Sequence, residues 1–125
     1  MQEGLSVLVA LSVARAPYNA LTPAVVSEFC TRYGLPPEQF QHRFARFVAC
    51  EFAMGELSYA DADCAINDLA AYVWQDIQGL VLRIYHAFDS CEYRRSHDAE
   101  GTIPWQKYTL PEIMALLDEQ GWLVE

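Results

Sequence analysis

From residue 66 onward, apolar residues recur at helical spacing without losing phase. Ile66, Leu69, Ala70, Val73, Ile77, Leu80, Val81, Ile84 and Phe88 all fall within about 60° of one line at ~100° per residue. Ser58 followed three residues later by Asp61 is a shortened-acid form of the capping box, and Asp61 and Asp63 suit the positive end of a helix dipole. The pattern predicts one long helix over about 59–90, bent at Gly79, where a glycine costs roughly 1 kcal/mol against alanine. A two-helix hairpin is the second reading, because a connection normally breaks the phase.

Punctuation frames the other elements. Thr22 before Pro23 is an N-cap with proline at the first helical position, and Gly34 sits where a C-terminal glycine belongs, which predicts a helix over 23–33. Pro36 and Pro37 open a helix to about Met54 whose stripe is Phe40, Phe44, Phe47, Val48 and Met54, closed by Gly55. Thr109, Leu110, Pro111 and Glu112 read as a capping box before a helix carrying Ile113, Met114, Leu116 and Leu117, with Gly121 as its stop. Trp122, Leu123 and Val124 are placed to fold back as an apolar staple. Residues 5–14 alternate large and small like a strand, but a lone strand has no partner in a helical chain, so a buried helix apolar on most sides is expected there. The expected fold is all-α: a single-domain five-helix bundle around one long central helix (about 59–90), with an irregular segment over about 94–108.

Composition removes several function classes. With 125 residues, 53% hydrophobic and 13% aromatic, the chain can bury one core and is not intrinsically disordered. A net charge of −9 argues against nucleic acid, whose binders need a basic face, and against anionic membranes. The charge is uneven: residues 1–50 hold four Arg and three Glu, while residues 51–125 hold fourteen Asp or Glu against three Arg and one Lys. Such polarity suits a basic partner or subunits that meet head to tail. The apolar run 5–14 is too short to span a membrane, and the residues before it include Glu3 and no Lys or Arg, unlike a signal peptide. Cys30, Cys50, Cys64 and Cys91 are isolated and lack metal-ligand spacing, as in a reduced, cytoplasmic protein.

Candidate chemistry gathers over 86–98, HAFDSCEYRRSHD. His86 and Asp89, at i and i+3 on the side of the helix away from the stripe, can pair, which would fix the imidazole tautomer or raise its pKa. Glu92, His97 and Asp98 would join them if the following loop folded back, giving nitrogen and oxygen ligands suited to Zn, Fe or Mn, with Tyr85 and Trp105 as walls. No HExxH-like spacing accompanies them, and a surface His–Asp pair near a helix C-terminus, where a cation is favoured, is the simpler reading. Cys91 falls on the core side, where a thiol is inert. Glu51 lies in line with Phe40, Phe44 and Phe47, so a carboxylate there is a candidate buried acid, beside His42, Arg43 and Arg46. Leu82 stands on the face opposite the stripe and must meet another helix or a second subunit. Asp61, Asp63, Asn67 and Asp68 lack the glycine and bidentate glutamate of a calcium loop and read as capping and solubilising residues.

No catalytic signature, phosphate loop or nucleophile elbow is present. The first expectation is therefore a binding or regulatory protein that engages a basic partner and needs no cofactor, as small inhibitors and immunity-type proteins do by analogy. The alternatives are a pocket protein that binds a small ligand or metal through His86 and Asp89, with or without enzymatic activity, and a structural homo-oligomer such as a homodimer.

Overall fold

The computed structural model describes residues 1–16, 18–73, 77, 79–89 and 101–122. Among the described residues six α-helices carry the fold: α1 (Gln2–Arg15), α2 (Pro23–Tyr33), α3 (Phe40–Ala53), α4 (Tyr59–Tyr72), α5 (Gly79–Asp89) and α6 (Leu110–Gln120). A short 3-10 turn (Pro37–Gln39) leads into α3 and a π-helical turn (Trp105–Thr109) leads into α6. There is no strand among the described residues, so the all-helical expectation holds, and 5–14 is a helix. It is buried only along Leu5, Leu8, Val9 and Ser12, whereas Val7 is 60% exposed, so it is not the enclosed helix that its composition suggested.

The long helix over 59–90 is corrected to two. Tyr59 Oη donates to the Phe88 carbonyl at 2.8 Å. One continuous helix would hold those residues roughly 43 Å apart at ~1.5 Å per residue, so α4 and α5 must double back on each other. Gly79 has a φ of 61°, a left-handed conformation that a helix interior does not contain. Phase survived because both helices turn their apolar stripes to the same core: Ile66, Leu69 and Val73 from α4 meet Val81, Ile84 and Phe88 from α5 in one cluster. The central position belongs instead to α3, which packs against α1, α4, α5 and α6. Phe44, Val48 and Ala49 have no exposed surface, and Met54, counted in the stripe, lies beyond the helix and is 63% exposed.

Polar ties fix how the helices dock. The carboxylate of Asp68, mid-α4 and 6% exposed, accepts from the Ser12 hydroxyl of α1 at 2.7 Å and from the backbone N–H groups of Ala20 at 3.0 Å and Leu21 at 3.3 Å. It is thus a buried clamp, not the solubilising acid expected. In the last turn of α5 among the described residues, two carbonyls accept from side chains of other elements: Phe88 from the Tyr59 hydroxyl and Ala87 from the Thr109 hydroxyl at 2.9 Å. That use of Thr109 overturns its role as an N-cap, since the helix has already started before it and its backbone is helical. Residues 105–108 are likewise helical and not irregular, while 94–100 lie outside the described residues. The caps at Thr22 and Ser58 form as expected, donated to by Val25 N–H at 3.3 Å and Asp61 N–H at 3.1 Å. Gly4 leaves room for the Tyr33 side chain of α2, whose hydroxyl a Cβ would meet at 2.6 Å and whose ring at 2.7 Å.

Candidate functional site

Where α3 ends, the chain folds back on itself. Gly55, at φ 80°, allows the reversal, and the N–H groups of Glu56 and Leu57 donate to the Glu51 carbonyl at 2.8 and 3.1 Å. Ser58 then caps α4 and sets Asp61 in its first turn. Three carboxylates separated in sequence, Glu51, Glu56 and Asp61, consequently line one open groove of about 490 Å³. Its other residues are Ser6, Val9, Ala10, Val13 and Ala14 of α1, with Phe47 and Leu57. No Lys or Arg lines it. Glu51 and Asp61 are partly buried, as are Val13, Phe47 and Leu57, and Glu56 is exposed, so acidic and apolar side chains share the lining.

Glu51 also borders a second groove of about 390 Å³, shared with Leu5, Arg43, Arg46, Cys50 and Trp122. Here the Arg46 guanidinium lies 4.8 Å from the centre of the Trp122 ring, and His42 meets the same indole edge-on at 5.3 Å. Glu51 therefore stands between an acidic groove and a cationic, aromatic one. Trp122 N–H donates to the Leu117 carbonyl at 2.8 Å, closing α6 over Gly121, and its ring packs on His42 and Arg46 of α3, where the staple pattern had it fold onto its own helix; Leu123 and Val124 lie outside the described residues.

Of the cluster expected at 86–98, His86 and Asp89 are at the exposed end of α5, and no ion pair joins them among the described residues. Tyr85 is beside His86, with ring centroids 5.5 Å apart, and it packs on the core. Trp105 stacks on Tyr59 at 6.1 Å and 7° and meets Phe52 at 5.8 Å, so its contacts are within an aromatic cluster that also includes Phe88. Glu92, His97, Asp98 and Cys91 lie outside the described residues. Among the described residues no three His, Cys, Asp or Glu side chains are grouped to hold a metal ion. Leu82 is partly buried on α5. Nearby, Arg83 grips Glu119 of α6 through two bonds of 3.2 and 3.0 Å, which hold the glutamate below its usual pKa.

The thiols of Cys30, Cys50 and Cys64 are free, and burial pushes each above its ordinary pKa, so none is an activated nucleophile. Two residues escaped sequence reasoning. Glu56 gave no signal, because only the reversal at Gly55 places it beside Glu51. Asp68 left one: a poor helix former among Ala62, Ala65 and Ala70 marks a helix crowded on more than one side. No known family matches the chain, and neither does any curated protein or solved structure.

Proposed function

We propose that this protein is a binding protein that engages a basic partner through the groove between α1, the end of α3 and the start of α4. The observation that carries the reading is the lining of that groove: Glu51, Glu56 and Asp61 with no cation among them, beside Val9, Val13, Phe47 and Leu57. A cationic amphipathic segment fits such a surface, its apolar side against the apolar lining and its Lys or Arg heads at the carboxylates. The net charge of −9 adds long-range attraction for the same partner and disfavours nucleic acid. A reducing compartment such as the cytoplasm suits the free thiols.

The test uses a Lys- and Leu-rich amphipathic helical peptide, with its Glu-for-Lys counterpart as control, followed by fluorescence anisotropy. Affinity for the basic peptide is expected to fall at least about tenfold between roughly 50 and 500 mM salt. Combining Glu51→Gln, Glu56→Gln and Asp61→Asn should weaken it by about tenfold or more. The matched neutralisation Glu38→Gln, Glu112→Gln and Asp118→Asn, away from the groove, should leave most of the affinity. Equal loss in both variants, or binding that ignores ionic strength, sinks the groove as the binding surface.

A further inference from the structure

The outward side of α1 carries a row of four exposed residues at i, i+4 spacing: Glu3, Val7, Leu11 and Arg15. Residues so spaced form one ridge of a helix surface. Beside the row lie Ala10 and Ala14, also exposed, and no charge interrupts α1 between its two ends. Val7 is 60% and Leu11 37% exposed. A surface helix normally turns charged residues to water, and one that is apolar all round is normally covered. Neither Glu3 nor Arg15 forms an ion pair among the described residues. Val7 and Leu11 also line an open groove of about 350 Å³ with Val25 and Phe29 of α2, where Glu28 and Arg32 of the same helix add one acid and one base.

The order of chemistry along the ridge is acid, apolar, apolar, base, and this order names its cover. Rotated by a two-fold axis through its middle, the ridge presents base to acid and apolar to apolar. We propose that α1 is a self-association surface on which a second copy of this chain docks its own α1 antiparallel, Val7 against Leu11 of the other copy and Glu3 against its Arg15 at both ends. A two-fold contact must be self-complementary in this sense. A helix running the same way would set like charges together at both ends and is disfavoured.

Sedimentation velocity over about 1–500 µM protein tests it. The unaltered chain is expected to sediment as a dimer toward the upper end, and Val7→Glu as a monomer throughout. Glu3→Arg or Arg15→Glu alone replaces two attractive pairs with two repulsive ones and should weaken association about tenfold or more. The combined Glu3→Arg, Arg15→Glu chain should recover to within about threefold, although both charges then oppose the α1 dipole, so that recovery cannot come from a firmer helix. Far-UV circular dichroism checks that each variant remains helical. A monomer at every concentration, a dimer indifferent to Val7→Glu, or a double reversal no tighter than the singles overturns the proposal. The peptide affinity of the acidic groove is read separately, so either proposal can fail alone.

Discussion

Asp68 shows what a single buried acceptor does. Its carboxylate collects a hydroxyl and two backbone N–H groups from the segment that includes α1 and the chain leading to α2. Asp68→Ala would strand those donors, and buried donors without partners are costly. A loss of about 2–4 kcal/mol is expected in urea unfolding, with Asp68→Asn, which keeps one acceptor oxygen, losing less. A loss below ~0.5 kcal/mol for Asp68→Ala would remove the clamp. Burial raises the Cys30 thiol, so its contribution is full below the unfolded thiol's pKa and is lost as pH rises through the folded one. Iodoacetamide at about pH 8 should therefore label Cys30 at least roughly tenfold more slowly than in the urea-unfolded chain.

At the scale of elements, Gly79 separates two architectures by the sign of one measurement. In a continuous helix over 59–90, Gly79→Ala would stabilise the protein by about 1 kcal/mol. At φ 61°, with nothing within 4 Å of an added Cβ, the same change meets no clash but strains the backbone, and should destabilise by about 1 kcal/mol. The stripe from Ile66 to Phe88 was legible as burial and not as connectivity. Phase records which side of a helix is apolar; it does not record that α5 runs back along α4. Thr109 carries the same lesson. Its position before a proline suited a cap, but its hydroxyl donates across the core to the Ala87 carbonyl of α5 instead.

For the molecule as a whole, the two surfaces argued above differ in chemistry and in readout. The acidic groove predicts salt-dependent binding of a basic peptide, and the α1 ridge predicts concentration-dependent mass restored by a charge swap. Both include α1, whose residues Ser6, Ala10 and Ala14 line the groove on one side while Val7 and Leu11 line the other. Among the described residues no helix is long and apolar enough to cross a membrane, in agreement with the brevity of the run at 5–14. The sequence alone determined the helical class, the caps at Thr22 and Ser58, the stops at Gly34 and Gly121 and most of the buried positions. Those follow from bonds and periods within a few residues of chain. Only the tertiary structure decided that α3 is central, that Glu51, Glu56 and Asp61 share a groove, and that Asp68 is an internal acceptor. Each depends on where the chain reverses, and a reversal is set by how separate helices pack, not by the spacing within any one of them.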